Sequence, residues 1–405
     1  MDVGHPSTGR SRGATGGSGA TDAEVRVPGT VVVGLGGIGS AAAYHLAARG
    51  ATVLGLDPRL PGHRDGSSHG RSRLVRQAYA EGPEYVALTT AAWRLWHELE
   101  QASGTRLLTE SGVLAVAPIG GALVADTLAA ARAHGLPVEH LTATAIRDRF
   151  PAFRVADGWE GVLEREAGFV DPEATVRAHH RLAQEHGAEF RAERVVDIAF
   201  GAHPLVRTDV AAYRADRVVV AAGPWAPELL AATGLRIVAR RKVVAHFAPT
   251  DPRGLGADAM PGFSIQHDGH LYYGFPDHDG QGVKIGRHDG GEDTTPDTID
   301  RVVRPDEVAE LRGVLERFLP GAAGADLDAY SCMYTMSSDE DFILGALPGA
   351  PACFVATGCS GHAFKFVPVL GEVLADLALG VRPRYDIGFL SPDRAAARAS
   401  AAIDR

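Results

Sequence analysis

Three glycines, Gly34, Gly36 and Gly39, stand in G-x-G-x-x-G spacing directly after the β-branched run Val31-Val32-Val33. Such a loop can hold a phosphate with backbone alone. Gly34 permits the tight turn, Gly36 lets backbone approach a pyrophosphate, and Gly39 lets helix and strand pack closely. Gly37 and Ile38 complete the cradle. Ser40 to Arg49 is small and apolar, is closed by Gly50 and reads as a helix, so free N–H groups and a partial positive charge would face the phosphates. A second apolar strand, Thr52–Leu56, ends in Asp57, 21 residues after Gly36, where a carboxylate can accept hydrogen bonds from ribose hydroxyls. The glycine spacing alone is weak; strand, helix, second strand and terminal acid together point to a dinucleotide.

Other reactive side chains are sparser. Arg73 and Arg76, three apart, could grip an anion or, on a helix, form a solvated face. Cys332, Cys353 and Cys359 are too few and too late for a disulfide framework and suit a reducing cytoplasm. No H-E-x-x-H or C-x-x-C spacing supports a metal, and His267, His270 and His278 read as loop residues. The net charge of -10 argues against nucleic acid. No stretch approaches the ~20 apolar residues of a membrane span.

A phosphate loop of this kind needs a buried parallel sheet beneath it. Arg217–Leu230 (RVVVAAGPWAPELL) reads as a second buried strand entering a Gly-Pro turn and a helix, and belongs beside Val31–Val33. Pro351–Gly358 (PACFVATG) is a third, passing through CSGHAFKF into a helix over Val367–Leu379. From Pro83 the apolar residues recur at helical spacing, with Trp93 and Trp96 expected in the core. Leu123–His134 reads as a helix. Asp171 is an expected N-cap, with Pro172 opening a helix to about His186, before alternating strands at Glu189–Ile198 and Leu205–Thr208. Between Arg240 and Tyr334 short alternating strands follow one another, as in KVVAHFAP, HLYYGFP and GVKIGRH.

The predicted fold class is α/β. A Rossmann-type domain on a parallel sheet spans 27–105, 172–238 and 338–395, discontinuous in sequence, and a second α+β domain on a mixed or antiparallel sheet spans 106–171 and 239–337. Residues 1–26, rich in Gly, Ser, Thr, Ala and Arg, are predicted to be a disordered tail.

Five separated motifs occur in one order: GSSHGRSRLVRQAYAEGPEYV, YYGFP followed by VKIGRHDGG, Cys332-Met333-Tyr334, SSDEDFI and SGHAFKF. Together they resemble the monomeric sarcosine oxidase and N-methyltryptophan oxidase family of flavoproteins, over roughly residues 28 to 395. The resemblance implies FAD as the dinucleotide, a substrate domain on a mixed sheet, and a monomer whose partners are a small-molecule amine and O2. The implied reaction is oxidation of a secondary amine, typically an N-methyl α-amino acid, giving an imine that hydrolyses, and H2O2.

Carried over residue by residue, the resemblance implies that Cys332 bonds covalently to the flavin 8α-methyl group, that His69 and Arg73 lie near the flavin ring, and that Ser68 and Val195 contact the cofactor. Arg76 and Lys365 match the pair that holds the substrate carboxylate, which a guanidinium and an ammonium can orient. Lys284 matches the lysine on the flavin face where oxygen is reduced; a fixed positive charge there favours superoxide-like character. Tyr273, His288 and Tyr334 match residues lining the substrate cavity, and Tyr79 is expected at its border, with Ser264–Asp268. Gly358, Gly361 and His362 belong to a turn whose backbone N–H groups would face the flavin pyrimidine edge. Taken alone, Cys332 would be an ordinary buried cysteine, Lys284 an exposed strand lysine and His288 a structural histidine.

Four positions, in three places, depart from the family pattern. Arg71-Ser72 replaces Asp-Thr, Ser68 stands where a second histidine is frequent, and Ala363 replaces a glycine, which requires a negative φ. These departures bear on substrate identity, and alternatives stay open: a cyclic imino-acid oxidase, a flavin dehydrogenase that does not use O2, or a flavin-binding protein without catalysis.

Overall fold

The computed structural model describes residues 24–59 and 61–394. The strand Glu24–Val33 is the axis of the first sheet. It runs parallel to Val53–Leu56 on one side and to Ala212–Val220 on the other, and the parallel order continues outward to Glu189–Arg191 and to Ala350–Thr357. Both faces are buried, as a β-branched run demands. Val32 packs under the helices Gly37–Ala48, Val86–Ser103, Pro172–Glu185 and Val367–Ala378. Val31 and Val33 face a second core with Leu54, Leu56, Val218, Val220 and Val355, closed by the antiparallel hairpin Val195–Ala199/Leu205–Thr208.

Local chemistry accounts for the element ends. Asp171 caps its helix by accepting from the Ala174 N–H at 2.9 Å, with Pro172 in the first turn. Gly34 has φ +84, and a Cβ on Gly39 would lie 1.8 Å from the Gly34 carbonyl oxygen, so strand and helix meet there only as glycines. Ala363 has φ −84, the negative value its side chain requires.

Three expectations need correction. The segment read as one strand over Glu189–Ile198 is two, Glu189–Arg191 and Val195–Ala199, which pair at opposite ends of the strand order. The break at residues 192–194 carries no glycine or proline, so nothing in the letters marked it. Glu24–Arg26, assigned to a disordered tail, are strand residues paired with Ala212–Arg214; residues 1–23 of that tail, and residue 395, lie outside the described residues. Trp96 is fully buried and its indole N–H donates to the Lys365 carbonyl at 2.9 Å, whereas Trp93 is half-buried at the rim of the same core.

The second sheet has nine strands and is mixed, with one parallel pair, Gly262–His267 beside Val113–Pro118. Its centre is the antiparallel set His270–Phe275, Val283–Arg287, Ile237–Phe247 and Asp326–Ser337. Side chains alternate between faces along each strand. Tyr272, Val283, Ile285, Ala245 and Phe247 form a core with Leu311, Val314, Leu315 and Phe318 of the helix Pro305–Phe318. The register then sends Tyr273, Phe275, Lys284, Gly286, Lys242, Val244, His246, Tyr330 and Cys332 to the other face, toward the first sheet. A small third sheet ties Arg73–Val75 to Gly168–Val170 and Leu108–Thr109.

Candidate active site

Two adjoining cavities lie between the sheets. The larger, about 680 Å³, is lined by Gly34, Gly36, Gly37, Ile38, Asp57, Ser68 and Val195, and also by Arg73, Cys332, Met333, Tyr334 and Gly361. The smaller, about 80 Å³, is lined by Arg76, Glu81, Ser264, Tyr273, Lys284, His288, His362 and Lys365 among others, and shares Arg73, Cys332, Tyr334, Gly361 and Phe364 with the first. Residues from three separate stretches of chain thus meet along one shared wall.

The larger cavity fits a flavin dinucleotide. A Cβ on Gly36 would meet only the Ser68 side chain, at 3.3 Å, so this glycine keeps the cradle open where backbone must approach a phosphate. The Ser68 hydroxyl accepts from the Gly37 N–H at 3.0 Å and so ties the loop to the helix start. Asp57 accepts from the Leu35 and Arg59 N–H groups at 2.9 and 3.0 Å, which fixes its carboxylate beside the cavity with lone pairs left for hydroxyls. Gly39 and Gly358 do not line the cavity. Gly39 packs against Gly34, and a Cβ on Gly358 would touch Ser337 and Ile343 instead.

The smaller cavity is cationic at its wall. Arg76 is buried, and its guanidinium donates to both Glu81 oxygens at 2.7 and 2.8 Å and to the Ala78 carbonyl at 3.3 Å. Burial pushes the Glu81 carboxyl up, but Arg76 and Lys365 outweigh it and hold its pKa at about 2. Lys365 Nζ donates to the His362 carbonyl at 2.7 Å, and burial, opposed by Glu81, lowers it to about 7. Lys284 is 2% exposed, pairs with no carboxylate among the described residues, and reaches only Ser72 O and Oγ at 3.3 and 3.4 Å. Burial and the nearby Arg73 charge push it well below the usual lysine range. Arg73 bonds only carbonyls, those of Ser72 and Ser67. Burial raises the Cys332 thiol although Arg73, Lys284 and Lys242 pull it down.

Several expected residues sit elsewhere. Tyr79 does not border the cavity; it is buried behind His362, to which its hydroxyl is hydrogen-bonded, and its ring underlies Arg76 and Lys365 at 5.1 and 4.9 Å. The His362 N–H is used inside the turn, donating to Cys359 O at 3.0 Å, so it is not free for a ligand. The His362 ring lies on the smaller cavity, with Nε2 donating to the Glu340 carbonyl at 3.0 Å and burial holding its pKa at about 3. His69 lines neither cavity but a third of about 700 Å³, against the Tyr330 ring, with its buried Nε2 unpartnered. Of Ser264–Asp268 only Ser264 lines the site.

Glu81, Glu164, Tyr330 and Lys242 were not singled out from sequence. Glu164 is buried and accepts from the Gln77 and Ala78 N–H groups at 2.5 and 3.0 Å, anchoring the turn that follows Arg76. Lys242 and Tyr330 share strand parity with Val244 and Cys332, a signal readable only once those strands are known to pair. Among the described residues no cluster could hold a metal ion and no helix is long and apolar enough to cross a membrane.

The model of the DAO family, FAD dependent oxidoreductase, matches residues 30–377. A monomeric sarcosine oxidase of Streptomyces avermitilis is 40% identical over 376 residues, covering 91% of this chain and 97% of that protein. An N-methyl-L-tryptophan oxidase of Salmonella typhimurium is 36% identical over 362 residues, covering 88% and 96%. Among solved structures, NikD, an unusual amino acid oxidase essential for nikkomycin biosynthesis, superposes with a TM-score of 0.78 at 29% identity, covering 90% and 96%.

Proposed function

Because the chain belongs to the DAO family of FAD dependent oxidoreductases and acts on the CH–NH group of its donors, we propose that it oxidises small N-substituted α-amino acids such as sarcosine, with O2 as acceptor and H2O2 as a product. The observation that carries this reading is the small basic cavity abutting the nucleotide cavity, where Arg76, Lys365 and Lys284 are buried around a space of about 80 Å³. Such a space suits a sarcosine-sized acid better than one bearing an indole. We assign the nucleotide to segments 27–105, 172–238 and 338–395, the substrate to 106–171 and 239–337, and a cytoplasmic monomer as the working form.

Bound FAD supplies the two-electron acceptor and its reoxidation by O2. The Gly34–Ile38 loop, Asp57, Ser68 and Val195 would hold its nucleotide part, and Arg73, Cys332, Tyr334 and Gly361 its ring system. Cys332, on the wall shared by both cavities, is the residue that would carry a thioether to the flavin.

Arg76 and Lys365 take the substrate carboxylate, which must share or displace Glu81 on the guanidinium. With the carboxylate fixed, the amine falls against Tyr273, Tyr334 and His288. Burial lowers His288 to about 4, so it stays neutral at pH 7 and adds no charge beside an amine that must be unprotonated to react. Phe275 and Leu74 exclude water. Arg73 places positive charge, and Lys284 a buried donor, where oxygen gains electrons.

The reading is tested by the absorption spectrum of the purified protein, before and after acid precipitation, followed by anaerobic addition of sarcosine, N-methylalanine, L-proline, pipecolate and N-methyltryptophan. Bleaching of a flavin band by sarcosine or N-methylalanine is expected, with colour retained in the acid pellet. Flavin that none of these amines bleaches overturns the proposal. Selective bleaching by the two ring compounds would favour cyclic amino acids, the second reading, which the small cavity also suits.

A further inference from the structure

Lys242 has no part in the reaction described above and lines neither cavity, yet it is a lysine buried to 4% exposure directly behind two residues that do, His288 and Tyr334. It lies directly across the ladder from Cys332, so the two side chains leave the same face of paired strands. Burying an ammonium is costly unless it is fully bonded. Among the described residues no carboxylate pairs with it. The nearest acid, Asp289, turns its carboxylate to His270 at 2.8 Å, Arg287 at 3.0 Å and the Leu271 N–H at 2.8 Å. Lys242 Nζ donates instead to three successive carbonyls, those of His288, Asp289 at 2.8 Å and Gly290 at 2.6 Å, and it stands 5.0 Å from the centre of the Tyr334 ring.

Two of these contacts end on residues that line the cavity, His288 and Tyr334. His288 lines it, and the carbonyl cage fixes the backbone at the point where the strand Val283–Arg287 gives way to the turn at Gly290 and Gly291, with φ +66 and +97. Tyr334 lines both cavities; its hydroxyl is 3.5 Å from that of Tyr273, and its ring occupies the place a side chain on Gly361 would need. One ammonium therefore spans the two surfaces that the substrate amine meets. A neutral side chain of equal length would fill the volume without the desolvation cost, so filling space does not account for a charge here.

We propose that Lys242 is a positioning residue of this site, which sets the placement of His288 through the three carbonyls and of Tyr334 through its ring face, and so fixes the pose of the substrate amine. This rests on the amine-oxidase reading for its kinetic consequence, but not for its structural one.

The test compares wild type, Lys242→Met and Lys242→Arg as flavin-loaded enzymes. Hydrogen exchange read by mass spectrometry should rise in Lys242→Met at residues 286–291 and 332–336, and stay unchanged in the strand Glu24–Val33 and helix Gly37–Ala48. Stopped-flow reduction by sarcosine should slow by about tenfold or more, as misplacement of this kind does, while reoxidation by O2 stays within about twofold. Lys242→Arg keeps a cation over Tyr334 without the compact three-carbonyl geometry and should show a smaller change in the same direction. Unchanged exchange at 286–291 in both variants, or equal slowing of both half-reactions, overturns the proposal. If sarcosine and the other amines fail to reduce the wild-type flavin, the amine-oxidase reading fails, and the exchange comparison still decides whether Lys242 holds this wall.

Discussion

The two sheets recognise their ligands by opposite means. The first is apolar on both faces and offers backbone: a glycine loop, a helix N-terminus and one carboxylate fixed by N–H groups. The second keeps one face for its core and loads the other with buried basic side chains, Lys284, Lys242 and His246, beside Arg73, Arg76 and Lys365 from elsewhere. Backbone recognition is nearly insensitive to side-chain identity so long as no Cβ intrudes. Recognition by buried cations is costly to build, and each member depends on what neutralises it. Damage to the first region should thus appear as weaker cofactor binding, and damage to the second as failed catalysis with cofactor in place.

The sharpest break in that division is Arg76→Met. Removing the buried guanidinium that holds Glu81 and is assigned to the substrate carboxylate should cut kcat/KM for sarcosine about 10³-fold, as loss of a buried charge partner does, with flavin content unchanged; steady-state kinetics beside the flavin spectrum decides it. Lys284→Met should slow reoxidation by O2 about 10²-fold and leave reduction by amine within about threefold, a split visible in rapid mixing. In the other region Gly36→Ala should weaken FAD about 30-fold, since its Cβ enters the cradle, while kcat at saturating FAD holds; titration of the apoprotein measures it. The smallest effect concerns pH. Burial lowers Lys365 to about 7, so its ammonium is present below pH 7 and lost above it. The Kd of a non-oxidisable carboxylate such as acetate should rise several-fold, and less than tenfold, between pH 7 and 8. A flat profile would mean that Arg76 alone carries the carboxylate.

How much could be read in advance divides along the same line. The nucleotide half rests on contiguous signals, so Gly34, Gly36, Asp57, the Val31–Val33 strand and the Asp171 cap could be placed from the letters alone. The alternation in KVVAHF and GVKIGRH was visible too, as short strands, and in the fold it puts Lys284 and Gly286 on one side. Which strands stand beside which is set by contacts between residues far apart in the chain, so the meeting of Lys242 with Cys332, and of Tyr334 with Gly361, left no local trace. The pairing of Arg76 with Glu81 is close in sequence yet went unread, because a five-residue spacing matches neither helix nor strand neighbours. Tyr79 and His362 were misplaced for a related reason: a motif identifies residues near a site without saying which way a fully buried ring is turned.

The alternation of the second sheet makes its active face a reading frame. From Lys284 through Gly286 to His288, every other letter faces the site, while Val283 and Ile285 belong to the core against Leu311, Val314 and Phe318. Losing or gaining one residue inside Val283–Arg287 would invert the faces of every residue beyond it, handing site-facing side chains to that core. Point substitutions here can be graded, but a single-codon insertion cannot. Variation in length during the history of this family is therefore expected at the turns joining these strands, such as Asp277–Gly282, and not within the strands themselves.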